Sequence, residues 1–433
     1  MSLRVGVART DITPSVGTPL AGYFEQRISQ GVKDKLFAKA LLLDDGSTLL
    51  SIVSCDLLHL NRHVVQTARA LAEEQLDIPP ENVLLCATHT HTGPPIDDVF
   101  EDGDAHWEDH LARSIAATIR DAKGHMREAR LKLGVGEEES WVFNRRFKMR
   151  DGTVATIPWR DSRNIVAPAG PVDPEVGVLG FEDLNGHLFG VLVNYATHCD
   201  SMGGNLLSAD YPGALAETIR TAKGSEVTTL FTAGAQGNIS HIDANAKGAT
   251  KGHDVTHRIG TALAEEVLQI LERAEYTDCR LKAMSRTVEL PLRTYSDEEI
   301  SAAKKVLAKR WRVSRFQKIY AQRLLAINEM KEKTVEAELQ AMALNDTVLA
   351  GIPGELFAEL GIVIKQNSSF KHTFIIGLAN AELPGYLVPS DAYDDQPSKR
   401  GLHNYEAQTT ALAQGSAEKI VDACLRIVSA LRE

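Results

Sequence analysis

The apolar run Val83-Leu84-Leu85-Cys86 passes directly into Ala87-Thr88-His89-Thr90-His91-Thr92-Gly93-Pro94, and no other junction constrains this chain as tightly. It reads as a strand that ends in paired histidines. Side chains alternate across a strand with period two, so His89 and His91 are expected on one face, where Gly93-Pro94 stops the strand and opens the backbone to solvent. Two neutral imidazoles that converge offer nitrogen lone pairs to a divalent metal, and zinc suits such ligands. The competing reading is a plain pair of histidines hydrogen-bonded near a sheet edge.

The rest of the chain places this strand in an α/β fold, with mixed β-sheets flanked by helices. Residues 40–43 and 49–53 read as strands, and Asn61 as the N-cap of a helix that runs to about Leu76. Residues 78–82 end that helix and lead into the histidine strand. A second amphipathic helix fits 107–122, followed by a strand at 131–136. The runs 177–181 and 188–195 form a hairpin, signalled by Asn185-Gly186. Residues 296–333, with Trp311 and Tyr320, form a charged, helix-favouring insertion that packs outside or makes an interface. Strands at 347–352 and 373–378 then flank a helix beginning near Glu355. No internal repeat and no low-complexity linker is visible, so the expectation is a single large α/β unit spanning residues 1–433, with its candidate site at strand ends.

Composition narrows the partners. Lys plus Arg number 47 against 58 Asp plus Glu, a formal charge of −11, which argues against a nucleic-acid or anionic-membrane surface. The first ten residues lack an apolar core of signal-peptide length, and no later run approaches a membrane span. The chain is therefore expected to be cytoplasmic. Its five cysteines (Cys55, Cys86, Cys199, Cys279, Cys424) are odd in number and include no C-x-x-C pair, so neither a disulfide framework nor a zinc knuckle is suggested. Four read as buried thiols. Cys199 stands apart only because it adjoins His198.

Functional residues concentrate where a strand hands over to a loop, and further strand ends carry polar clusters. One strand exits through Tyr195-Ala196-Thr197-His198-Cys199-Asp200, which makes His198 the next candidate ligand. In Ser208-Ala209-Asp210-Tyr211-Pro212, Asp210 reads as a helix cap and Pro212 as a first-turn residue. The Gly-rich loop 232–243 lacks the lysine of a phosphate loop; it reads either as a tight turn that aims backbone N–H groups and Ser240 into a cleft or as a purely structural turn. Glu355, in Ile352-Pro353-Gly354-Glu355, is placed at a helix start where the dipole favours its ionised form. Tyr386 lies at another strand-like exit; its residue type alone reads as core.

These features occur in one order: Arg9-Thr10-Asp11-Ile12-Thr13-Pro14, the Thr-His-Thr-His-x-Gly-Pro motif, His198, Gly237-x-x-Ser240, Ile352-Pro353-Gly354-Glu355 and Gly385-Tyr386. That order resembles the neutral (non-lysosomal) ceramidases, from Val5 to about Glu406. The resemblance implies a zinc-dependent hydrolase that cleaves the amide of N-acylsphingosine. It implies Zn2+ held by His89, His198, Glu355 and Tyr386, with His91 beside it as proton donor or substrate-positioning group. Arg145 resembles the family's active-site arginine, Tyr405 a second tyrosine near the scissile bond, and Ser240 the serine of the family's Gly-Asp-Val-Ser turn.

Two departures bear on substrate. The secreted relatives carry a signal peptide and a C-terminal immunoglobulin-like domain, and neither is expected here. The acidic segment 95–104 suits a smaller, more polar amide or ester better than a two-tailed lipid. The partner is therefore expected to be a lipid or small-molecule amide. Two other readings stand beside it. One is a dinuclear metal hydrolase of phosphoesters or lactones, using His89, His91, His198, Asp243 and His241. The other is a non-catalytic binding protein on the same fold.

Overall fold

Within Phe37–Asp44, alternate side chains serve two cores: Ala38, Ala40 and Leu42 pack beneath helices, whereas Leu41 and Leu43 turn to the centre of the molecule. A strand that is apolar on both faces must be covered on both, and this requirement organises the architecture. The computed structural model describes residues 2–97, 103–158, 163–244, 248–309, 313–395 and 402–433. Strands β1 (Arg4–Asp11), β2 (Phe37–Asp44) and β3 (Leu49–Cys55) form an antiparallel meander. Helix α1 (Arg62–Leu76) then crosses to β4 (Val83–Ala87), which runs parallel to β3, and α2 (Ala105–Gly124) packs back on β1 and β2.

The same plan recurs. A meander of β5 (Arg130–Glu137), β6 (Glu175–Glu182) and β7 (Leu188–Tyr195) is followed by α3 (Tyr211–Lys223), the parallel strand β8 (Thr228–Ala233) and α4 (His253–Arg273). Next comes β9 (Leu281–Pro291), interrupted before its partner by a hairpin of α5 (Asp297–Ala308) and α6 (Arg315–Glu329). The unit resumes with β10 (Thr334–Leu344) and β11 (Thr347–Gly351), crosses through α7 (Ala358–Asn367) to the parallel strand β12 (His372–Ile376), and ends with α8 (Ser416–Arg432). The chain thus repeats a topology without repeating residues, a likeness that the sequence does not display. Side chains may differ freely between units as long as apolar positions alternate.

The sheets meet in one central core. Leu41 and Leu84 come from the first, Leu192 and Leu230 from the second, and Leu349 and Phe374 from the third, all fully buried. Helices cover the outer faces with separate clusters. Gly177 makes room for this contact, since a Cβ there would lie 2.5 Å from the Phe374 ring. Polar links tie the sheets in a cycle near their carboxyl ends. Ser54 Oγ donates to Phe231 O, Asn194 Nδ2 to Ile375 O (2.7 Å), and the Asn380 N–H to Leu85 O (2.8 Å).

Most expected elements are present, with ends within a few residues. Asn61 caps α1 by accepting from the Val64 N–H, and Asp210 caps α3. The insertion is two helices, each opened by a capping box at Ser296 and Ser314; Trp311 lies outside the described residues. Asp104 caps α2, and residues 98–102 of the acidic segment also lie outside the described residues. No helix among the described residues is long and apolar enough to cross a membrane.

Because Phe374 fills the centre where the sheets meet, Phe374→Ala is expected to cost about 3–5 kcal/mol in urea denaturation. Leu184→Ala, at a side chain 53% exposed, is expected to cost no more than about 0.5 kcal/mol. Equal costs at the two positions would contradict a shared central core.

Candidate active site

Strand β4 ends at Ala87, two residues before the first histidine. The chain continues past β3, with the Thr88 N–H on Cys55 O (2.9 Å) and the His89 N–H on Leu57 O (2.8 Å). His89 itself takes a left-handed φ of +72°, uncommon for a residue with a side chain. This turn, rather than strand alternation, brings the His89 and His91 rings to 4.9 Å, nearly perpendicular at 86°. The expectation that both leave one strand face is therefore corrected.

His198 arrives from the loop after β7, its ring 4.8 Å from His89 and 5.7 Å from His91. Ligand atoms of the three histidines lie within 4.8 Å of one another. Glu355 arrives from the loop after β11, with Oε2 3.2 Å from His89 Nε2 and 3.1 Å from His198 Nε2. Each repeat of the topology thus contributes to one point, through loops that follow its parallel strand pair. Helix α7 begins at Ala358, so Glu355 does not sit at a helix start. Its charge is maintained by other groups. Although burial opposes ionisation, the imidazoles of His89 and His198 hold the Glu355 carboxyl well below the usual carboxylate range.

The histidines fall into two kinds. His89 Nδ1 donates to Leu58 O (2.9 Å) and His198 Nδ1 to Gln236 O (3.0 Å), which leaves each Nε2 lone pair directed inward. Metal ligands are commonly locked in this way. His91 has no such lock, and neither of its ring nitrogens finds a hydrogen-bond partner. Burial and the neighbouring His89 depress the His91 pKa strongly, while burial and Arg145 push His198 down to about 4. Both rings are therefore neutral at physiological pH. Buried His89 Nε2 and Glu355 Oε2 also lack a hydrogen bond of good geometry. Although burial opposes it, the Glu355 carboxylate raises the His89 pKa, so positive charge is favoured between these two groups; together with the neutral His91 and His198 rings and the unsatisfied buried atoms, they fit a divalent cation of the zinc type.

Around the cluster, Arg145 extends from the short strand Phe143–Asn144, which pairs with Ile239–Ser240. Its Nη1 lies 3.0 Å from His198 Nε2, its Nη2 donates to Gly237 O (2.8 Å), and its guanidinium sits 5.4 Å from the Tyr386 ring centre. Tyr386 follows β12 on a loop tied to Glu355 by the Leu387 N–H to Glu355 O bond (3.0 Å). Burial and the Glu355 carboxylate push its phenol well above the ordinary range. The half-buried Tyr405 ring packs 5.6 Å from that of Tyr386. Ser240 is buried in the strand pair that supports Arg145, and its hydroxyl accepts the Ile242 N–H (3.3 Å).

Other expectations fare differently. His241 faces Asp200 (3.2 Å) and Thr250 O (2.7 Å) rather than the cluster. Among the described residues, His89, His91 and His198 form the one His, Cys, Asp and Glu group arranged to hold a metal, and neither His241 nor Asp243 joins it. All five cysteines are free thiols; burial raises Cys199 well above its usual pKa, and Cys279 is only half-buried. Several neighbours had no signal in sequence. Tyr23 sets its ring edge-on to His91 at 5.2 Å, and a Cβ on Gly22 (φ +89°) would lie 2.6 Å from His91 Nδ1. They approach from an earlier loop near the N-terminus, where nothing marks them.

The sequence model described as neutral/alkaline non-lysosomal ceramidase, N-terminal, matches residues 3–265. That span includes His89, His91, Arg145, His198 and Ser240 and stops before Glu355. The neutral ceramidase of Pseudomonas aeruginosa is 26% identical over 233 residues, 48% of this chain and 32% of that protein. The match thus spans about a third of the curated relative. The crystal structure of neutral ceramidase from Pseudomonas aeruginosa superposes with a TM-score of 0.79 at 20% identity, covering 100% of this chain and 75% of that one. A ceramidase complexed with C2 gives 0.76 at 19%, with the same coverage.

The two kinds of histidine lead to different metal contents. His198→Ala and Glu355→Ala are expected to weaken binding of an added divalent metal on the order of 100-fold or more, whereas His91→Ala is expected to retain it by elemental analysis. Loss of zinc from His91→Ala would make it a ligand instead.

Proposed function

The chain belongs to the neutral/alkaline non-lysosomal ceramidase family, and on that premise we propose that it is a zinc-dependent hydrolase that cleaves the amide bond of an N-acylated amine. One observation carries the assignment: Glu355 Oε2 lies within 3.2 Å of both His89 Nε2 and His198 Nε2, with neutral His91 and cationic Arg145 beside them. In this reading His89, His198, Glu355 and Tyr386 hold the metal. When bound, zinc supplies the Lewis acidity that activates water at neutral pH.

The remaining steps fall to the chain's own groups. An amide carbonyl directed at Arg145 and Tyr405 meets a fixed positive charge and a phenol O–H where negative charge develops on its oxygen. A single donor so placed is worth about 10²–10³ in rate. His91 starts neutral, takes the proton released by the attacking water and delivers it to the leaving nitrogen. Both of its ring nitrogens are uncommitted, as a proton carrier requires. Ser240 is given a supporting place, because its hydroxyl is engaged by its own turn and His241 is committed to Asp200. The strand pair that includes Ser240 positions Arg145, whose N–H donates to Asn238 O (2.8 Å).

The name of the Pseudomonas relative makes N-acylsphingosine the first substrate to test, and a smaller polar amide or ester the second. Zinc-loaded protein is expected to release sphingosine from a short-chain N-acylsphingosine. Glu355→Ala should lower kcat/KM on the order of 100-fold or more, in step with its loss of metal affinity. Absence of turnover by fully metallated wild-type protein would remove N-acylsphingosine as substrate.

A further inference from the structure

We propose that Glu406 is a positioning residue of this site: its carboxylate orients Arg145 and, through Thr156, anchors the backbone that carries Tyr405. The inference rests on the reading of Arg145 and Tyr405 as the groups that meet the substrate carbonyl. Glu406 lies on the short helix Tyr405–Thr409 and is fully buried. Its Oε1 accepts from Arg145 Nε at 2.8 Å, and its Oε2 accepts from Thr156 Oγ1 at 2.8 Å. Arg146 Nε lies 3.6 Å from the same Oε2. The Thr156 hydroxyl in turn accepts the Tyr405 N–H at 3.3 Å.

A buried carboxylate is costly unless it is paired and hydrogen-bonded, and here both oxygens are engaged. What distinguishes this pair from a structural ion pair is what remains of Arg145. Glu406 holds the Nε edge of the guanidinium and Gly237 O holds Nη2, so the plane is fixed and Nη1 is left facing the histidine cluster. Only a planar, forked cation can be pinned at two corners and present the third. Arg146 has its own partners, donating to Asp395 Oδ2 and Asn404 Oδ1, each at 2.7 Å, so the carboxylate is not required to neutralise it alone. One side chain therefore sets both groups proposed to stabilise the carbonyl oxygen, although it contacts neither substrate nor metal ligand.

The test is a double-mutant cycle on zinc-loaded protein. Glu406→Gln keeps the shape and removes the charge; it is expected to lower kcat by about 10–100-fold, the scale of misplacing a catalytic group, with KM changed less than about twofold. Zinc content should stay at one ion per chain. In an Arg145→Met background the loss should shrink to no more than about 3–10-fold, the part that runs through Thr156 and the Tyr405 backbone. An equal loss in both backgrounds, or unchanged kcat in the single variant, would overturn the proposal.

A readout independent of turnover is octanoate, a carboxylate probe, titrated calorimetrically. Arg145→Met and Glu406→Gln should each weaken its binding by about tenfold, and the double variant no further. If wild-type protein hydrolyses no amide, the proposed activity falls while this titration still decides the positioning role. Should Glu406→Gln fail to fold, Thr156→Val leaves every charge in place. It is expected to reduce kcat by about 3–10-fold through the Tyr405 backbone; full activity would remove the Thr156 link.

Discussion

Everything at the site depends on one packing constraint, the central apolar core that the three sheets share. Each sheet must bury an inner face built from residues such as Leu84, Leu230 and Phe374, and each must also lie under helices on its outer face. Sheets that satisfy both demands by the same meander-and-crossover plan present their parallel strand ends together. Loops leaving those ends have little room to diverge. The convergence of His89, His198 and Glu355 is thus a consequence of how apolar residues far apart in sequence, such as Leu84, Leu230 and Phe374, pack together. The cycle of links through Ser54, Asn194 and Asn380 holds the same end of the sheets in register.

Against that rigid apolar base, the site is electrostatically unsatisfied. The neutral rings of His91 and His198 lie beside an ionised carboxylate, and buried polar atoms of His89, His91 and Glu355 lack good hydrogen bonds. Such groups cost stability in a folded chain unless a ligand engages them. The left-handed backbone at His89 adds local strain of the kind that accumulates at functional positions. Unpaired donors, local strain and a fixed guanidinium thus meet in one place.

The helical hairpin also reaches this region. Phe316, on α6, packs against Phe24 with ring centres 6.2 Å apart, and Phe24 against Tyr405 at 5.5 Å. Arg315 pairs with Glu25 on the loop that places Tyr23 against His91. A line of aromatic rings thus runs from Tyr386 through Tyr405 and Phe24 to the hairpin, and joins the active-site loops to an element whose sequence carries no chemistry of its own.

The linear sequence by itself determined the elements and the identity of most candidate donors. Asn61, Asp210 and Asn185-Gly186 act through bonds within a few residues, so their caps and turn are visible as local patterns. His89, His198 and Glu355 were legible as polar residues after apolar runs, and motif order supplied Arg145, Tyr386 and Tyr405. Only the tertiary structure decided the repeated topology, the turn that joins His89 to His91, the commitment of His241 to Asp200, and the contact of Glu406 with Arg145. Periodicity reports what a segment buries, but not which segment buries it. Arg145 and Glu406 are 261 positions apart, and a bond across that separation leaves no mark on either neighbourhood until packing of the shared core brings the two together.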